Sequence, residues 1–327
     1  MYTEPANTRT QKEAKRIFVT GGTGFFGKSI LSRIADQTLQ CPKSSNAGDP
    51  IAIDHYTILS RSPASFRAAN PHFAALPSVE WVQGDVRDFD FSKVDGDFDV
   101  LIHAATPAVT TLADEEMTSI IINGTRRIIA FAKERHIPTV LFTSSGAVYG
   151  PCTAPISESI EVCKPTTAYG KGKLAAEHLL LDSGIDVRIA RCFAFTGPYL
   201  NRRIHYAIGN FIQNVLDDKP LIITGDGTPQ RSYLYADDLV DWLYAIIERG
   251  KPGCAYNVGS PKAISIRDLA FAVRDALGGT SAVKILGTPT DRPPEVYVPD
   301  TTRIETELGV RVTTNLTDAI RLSAKRV

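Results

Sequence analysis

The chain has 327 residues, enough for one sizeable core or two smaller ones. Lys plus Arg and Asp plus Glu both number 36, so no global field selects nucleic acid or an anionic membrane as a partner. No stretch approaches the roughly 18 uninterrupted apolar residues of a spanning helix, and membrane insertion is not expected.

Residues 1–15 are polar, lack the apolar run of a signal peptide and read as a flexible lead-in. Short apolar runs follow at 16–20 (RIFVT), 55–60 (HYTILS), 79–83 (VEWVQ), 99–105 (DVLIHAA), 139–145 (TVLFTSS) and 186–193 (DVRIARCF), and these read as strands. They are near-continuous rather than alternating, as a parallel sheet covered on both faces requires. Most intervening segments are long enough for crossover helices. Over 115–135, Met117, Ile120, Ile121, Gly124, Ile128 and Phe131 form a helical stripe. The turn-forming segment CPKSSNAGDP at 41–50 reads as a surface insertion. Strands alternating with helices predict an α/β chain with a doubly wound parallel sheet.

Beyond Cys192 the pattern loosens. Residues 193–235 and 261–327 are expected to build a smaller, mostly C-terminal α/β lobe, while the helical stretch at 236–250 and AYNVGS return to the sheet of 16–192. Five scattered cysteines without CxxC spacing suggest buried thiols rather than a disulfide framework or a metal site, which fits a cytoplasmic protein.

The first strand runs straight into TGGTGFFG, residues 20–27, and then a helix expected from Lys28. In that context the glycines have separate tasks: Gly21 permits a tight turn, Gly24 lets backbone approach a pyrophosphate, and Gly27 lets helix pack on strand. The helix N-terminus, with Phe25 and Phe26, then faces the phosphates with free N–H groups and a positive dipole end. This predicts a Rossmann-type dinucleotide site. The second strand ends in Ser60-Arg61-Ser62, with no carboxylate for a ribose 2′-hydroxyl. A guanidinium at Arg61 suits a 2′-phosphate, which tips the reading towards NADP(H) over NAD(H).

The spacing is GxxGxxG, and together with the segments below it resembles the extended short-chain dehydrogenase/reductase family, in its nucleotide-sugar epimerase/dehydratase/ketoreductase group. The resemblance spans about 16–312. It implies that Asp85 and Val86 in GDVRD contact adenine, and that Ala104, Ala105 and Thr106 in DVLIHAAT lie beneath the cofactor. It also implies that Asn123 in IINGTRRI shapes the site, and that the helices near 115–135 and 169–182 form a homodimer interface.

TAYGKGKLAAEHLL places Tyr169 and Lys173 one helical turn apart. A free tyrosine titrates near pH ~10 and is a poor base at neutrality. A neighbouring ammonium stabilises its phenolate, after which Tyr169 exchanges a proton with a hydroxyl while hydride moves at the adjoining carbon. By the resemblance Lys173 also holds the nicotinamide ribose, and Ser145, three residues before Val148 in TSSGAVYG, steers the reacting oxygen. Ser144 is the fallback, expected to bond backbone.

Relatives that dehydrate carry Asp-Glu where this chain has Gly146 and Ala147; those that decarboxylate carry a glutamate in this stretch, which this chain lacks, and 3,5-epimerases a cysteine at Ala147. All three reactions are therefore disfavoured. What remains is hydride chemistry at a sugar carbon, C4 in this reading, of a nucleoside-diphosphate sugar, by a 4-ketoreductase or a 4-epimerase. The alternatives are a reductase of a non-sugar carbonyl and a non-catalytic dinucleotide-binding sensor. For the substrate, the resemblance implies Arg231 in GDGTPQRSYLYADDLV, Arg292 in DRPPE, and Asn210 with Phe211 around the nucleotide. A departure is Ala194, where the group usually has an asparagine.

Overall fold

A computed structural model describes residues 14–40, 54–106, 112–160, 162–204, 206–288 and 293–325. The insertion expected at 41–50 and nearly all of the polar lead-in lie outside the described residues. Six strands follow the expected runs: β1 Arg16–Thr20, β2 His55–Ser60, β3 Val79–Gln83, β4 Val100–His103, β5 Thr139–Ser145 and β6 Val187–Cys192. A seventh, Ala255–Val258, adds to the far edge beside β6. The sheet order is Ala255–Val258, β6, β5, β4, β1, β2, β3, with every neighbouring pair parallel.

The strands read as apolar throughout because both faces are covered. In β1, Ile17 and Val19 point into one core with Ile58, Trp242 and Tyr256. Phe18, on the opposite face, meets Phe131 at 4.7 Å and Phe98 at 5.4 Å between ring centroids. Pleating alone assigns these sides, since successive side chains alternate. The first core is closed by the helix Ala236–Arg249, where Leu239, Trp242, Leu243 and Ile246 are buried. The second is closed by the helix Asp114–Glu134, whose six stripe residues are all buried.

A separate apolar cluster holds the C-terminal part together, with Ile208, Phe211, Ile212, Leu221, Leu269 and Val273 at its centre. Small sheets surround it. One pairs Gln230–Arg231 with Ile264–Ser265 and with Val296–Tyr297. Among the described residues no helix is long and apolar enough to cross a membrane.

The strand order reverses between β1 and β4, the place where a crevice opens at the carboxyl edge of such a sheet. The glycine turn follows β1, Ala104–Thr106 follow β4, and Ser145 ends β5, so the expected site residues share that edge.

Candidate active site

The glycine turn is built to two specifications. Gly21 sits at φ 76°, and a Cβ there would fall 2.4 Å from the Ala104 carbonyl oxygen. A Cβ at Gly27 would fall 2.2 Å from the backbone of Gly22. These glycines are required by the protein's own packing. Gly24 is not: its Cβ would meet only the Gly21 oxygen, at 3.4 Å. The space beside Gly24 is open, a cradle that a Cβ would fill, and so it fits a pyrophosphate.

The first helix, Phe25–Gln40, begins one turn before the expected Lys28, with the Lys28 N–H donating to the Gly24 oxygen at 2.9 Å. Phe25 and Phe26 pack against Phe195, at 6.4 and 5.2 Å between centroids. What these two residues offer a phosphate is therefore backbone.

At the end of β2, Ser60 is buried and Arg61 exposed. Past β3, both oxygens of Asp85 accept from Arg87, at 2.9 and 3.0 Å. Those bonds, and then the charges of Arg87 and Arg61, hold the Asp85 carboxyl below its usual range against the opposing effect of burial. Val86 is buried and fills the space that Gly124 leaves. Asn123 corrects the sequence reading. It is exposed, its amide donates to Ser119 on the same helix at 3.1 Å, and Arg126 donates to its oxygen at 3.2 Å. Asn123 thus lies on the solvent side of its helix, off the buried stripe.

The helix Ala168–Leu181 carries Tyr169 and Lys173 and starts at a Thr167 cap that accepts from the Gly170 N–H at 3.0 Å. Gly170 and Gly172 let it seat closely: a Cβ at Gly170 would fall 2.6 Å from the Ala147 oxygen, and one at Gly172 3.1 Å from Ile121. Seated so, the Tyr169 phenol faces the Ser145 hydroxyl. Burial pushes that phenol up and the Ser145 hydroxyl pulls it down. Lys173 is buried, its Nζ donating to the Thr143 oxygen at 2.8 Å and lying 5.9 Å from the Tyr169 ring centroid. Burial pushes this ammonium down to about 8, against the charges of Cys192 and Glu177.

Ser145 also faces a second phenol, Tyr297, which burial pushes up to about 12. Tyr297 arrives from the C-terminal part and packs on Phe193, 4.9 Å between centroids. Sequence reasoning missed it, since nothing local in PPEVYVPD marks that tyrosine as a neighbour of Ser145.

Ser144 is not bonded to backbone through its side chain, as had been expected; its hydroxyl donates to Glu177. Glu177 is 1% exposed and accepts two bonds from Arg191 on β6, at 3.1 and 2.7 Å. One buried carboxylate thus ties the helix of Tyr169 to β5 and β6. Its sequence signal was a lone acid one turn beyond Lys173, between Ala176 and Leu180. Glu177→Gln is expected to cost about 3–5 kcal/mol of unfolding free energy, because Arg191 keeps its charge and loses its partner. Urea unfolding checks this; a change of under about 1 kcal/mol would mean that the guanidinium finds water instead.

Arg231 sits across a strand pair from Tyr297, donating to Glu295 at 3.0 Å and to the Gln230 oxygen at 2.8 Å. Asn210 is half-buried on the helix Ala207–Leu216, but Phe211 belongs to the lobe's apolar core rather than to a ligand surface. Arg292 lies outside the described residues. Among the described residues no cluster of His, Cys, Asp or Glu is arranged to hold a metal. Cys192 is buried, and Cys152, Cys163 and Cys254 are partly so; all four are free.

Comparison with known proteins agrees with this architecture. The chain is 29% identical to UDP-glucuronic acid decarboxylase 6 of Arabidopsis thaliana, over 93% of its own length and 86% of that protein's. The solved structure of UDP-glucuronic acid 4-epimerase from Bacillus cereus, in complex with UDP-glucuronic acid and NAD, superposes with a TM-score of 0.79 at 24% identity, covering 94% of this chain and 98% of that one. UDP-N-acetylglucosamine 4-epimerase from Methanobrevibacter ruminantium does so with a TM-score of 0.81 at 22% identity, covering 96% and 98%. At these identities the two structures speak for the fold alone. The profile of the NAD dependent epimerase/dehydratase family matches residues 17–259, from β1 to just past the seventh strand of the sheet, and the chain belongs to that family.

Proposed function

We propose that the protein moves hydride at C4 of a nucleoside-diphosphate sugar, as a 4-epimerase or a 4-ketoreductase. The observation that carries this reading is the grouping of Ser145, the Tyr169 phenol that faces it and the buried Lys173, 5.9 Å from the Tyr169 ring centroid, at the same sheet edge as an open glycine cradle. NAD, when bound, supplies the hydride acceptor or donor. Tyr169 takes the hydroxyl proton as the carbon is oxidised and returns it on reduction, and Ser145 holds the reacting oxygen. Since burial drives the phenol up, the Lys173 ammonium and the Ser145 hydroxyl are what make it a usable base. Arg231 and Asn210 hold the diphosphate in this reading, with Arg231 drawn from Glu295 towards the substrate; Arg292 is a second anchor.

The ammonium is present below its folded pKa and is lost as pH rises through it. kcat/KM is therefore expected to fall on the alkaline side of about pH 8, where Lys173 stops supporting the phenolate. A profile that stays flat well beyond that point would separate Lys173 from the proton transfer.

A second reading, decarboxylation, is favoured by the 29% identity to the Arabidopsis thaliana decarboxylase. The chemistry is adjacent, because oxidising C4 of a uronic acid puts its carboxylate β to a ketone. Against it, neither Gly146 nor Ala147 carries an acid, and a Cβ at Gly146 would fall 2.8 Å from the Phe193 ring. Purified protein with NAD and UDP-glucuronic acid or UDP-glucose separates the outcomes. A 4-epimer without released CO2 supports epimerisation, and NADH or NADPH oxidation only with a 4-keto nucleotide sugar supports the ketoreductase. CO2 with a UDP-pentose establishes decarboxylation, and turnover of simple carbonyls alone returns the non-sugar reductase.

Family membership makes NAD the expected cofactor, and the comparisons give the NADP(H) preference no support. The homodimer remains our proposal, through the helices Asp114–Glu134 and Ala168–Leu181, whose outward faces carry Asn123, Arg126, Lys171 and His178.

A further inference from the structure

We infer that His103 is a positioning residue for the dinucleotide, a neutral hydrogen-bond relay that pins the crevice floor from beneath the glycine turn. The inference rests on the reading that a dinucleotide lies over Gly21–Gly27 and Ala104–Thr106. Thr20 ends β1 and His103 ends β4, side by side in the parallel register. Both are buried, at 0% and 2% exposure. The Thr20 hydroxyl oxygen accepts the N–H groups of Ala104 and Ala105, each at 3.2 Å. A hydroxyl has two lone pairs and one hydrogen. With both lone pairs taken, its hydrogen points at His103 Nδ1, 2.9 Å away.

Nδ1 is therefore bare and the ring proton is on Nε2. From there it is donated to the Thr125 hydroxyl at 3.2 Å, on the helix Asp114–Glu134. One chain of bonds runs from that helix, through the ring, to the backbone of 104–105. That backbone is also what the turn touches, since a Cβ at Gly21 would fall within 2.8 Å of Ala104 and Ala105 backbone atoms. Where Thr20 holds residues 104 and 105 thus sets how closely floor and turn approach. Burial, with the charge of Lys173 adding to it, drives the imidazole down to about 3. A charged ring would offer two donors and leave the Thr20 hydrogen without an acceptor.

The test is NAD binding to the full chain by calorimetry, with folding checked by near-UV circular dichroism. Thr20→Val and His103→Leu are expected to raise the Kd for NAD about 10-fold, the scale of one hydrogen bond. His103→Asn, whose side-chain oxygen can stand where Nδ1 was, is expected to stay within about threefold of the wild type. Imidazole nitrogen NMR on the unaltered chain is expected to show bare Nδ1 and protonated Nε2 between about pH 5 and 8. A folded His103→Leu protein with wild-type Kd overturns the proposal, as does a proton on Nδ1. An unaltered chain that does not bind NAD overturns it together with the cofactor reading beneath it, and the wild-type titration tells these failures apart.

Discussion

Tyr169→Phe is expected to lower kcat by about 10²–10⁴ while the Kd for NAD stays at its wild-type value. The substitution removes one oxygen. The ring stays with the apolar cluster it packs against, Lys173 keeps its bond to the Thr143 oxygen, and Ser145 keeps its bond from the Ala147 N–H. Nothing that shapes the glycine cradle is touched, so the loss falls on proton transfer alone. Steady-state kinetics with the substrate found in the assay above, beside calorimetry with NAD, reads both quantities. Phenylalanine supporting most of the wild-type turnover would remove Tyr169 from the chemistry. Tyr297 would then be the phenol to substitute, since it is the other one that faces Ser145.

Gly24→Val is the second large effect, and it separates a binding glycine from packing ones. The new side chain enters the space beside Gly24, where the Gly21 oxygen at 3.4 Å is all that a Cβ meets. Stability should change little, because no left-handed backbone and no close protein contact is involved. The Kd for NAD should rise on the order of 100-fold or more, since the valine occupies the volume a pyrophosphate would use. Gly21→Ala gives the contrast: its Cβ would fall 2.4 Å from the Ala104 oxygen on a backbone at φ 76°, so the fold itself is strained. Thermal melts with and without NAD distinguish the two. A Gly24→Val protein that NAD still stabilises as it does the wild type would show that the cradle is not where the phosphates lie.

The fold was legible wherever local chemistry dictates it. Runs such as Ile17-Phe18-Val19 and Val140-Leu141-Phe142 are apolar on both pleated faces, and Met117 to Phe131 repeat at helical spacing, so strands and crossover helix could be placed from pattern alone. The glycine turn and the Tyr169–Lys173 pair are also short-range signals. Asn123 was misread although the signal that excludes it was present. It follows Ile121 by two residues and precedes Gly124 by one, and at about 100° per residue it falls off the buried stripe that those two define. Phe211 likewise belonged with Ile208, Ile212 and Val215 as one apolar helix face. Tyr297, Glu295 and the bond from Ser144 to Glu177 were not legible, because each depends on segments 33 to 152 positions apart in the chain being brought together by the sheet.

Tyr297 faces Ser145 from the strand Val296–Tyr297, in the last tenth or so of the polypeptide. Every strand of the parallel sheet, and its glycine bend, lies earlier in the chain, ending at Val258. The side of the crevice that faces Ser145 is thus contributed by a segment outside the parallel sheet, one that can vary without altering the glycine bend or the strand pairing.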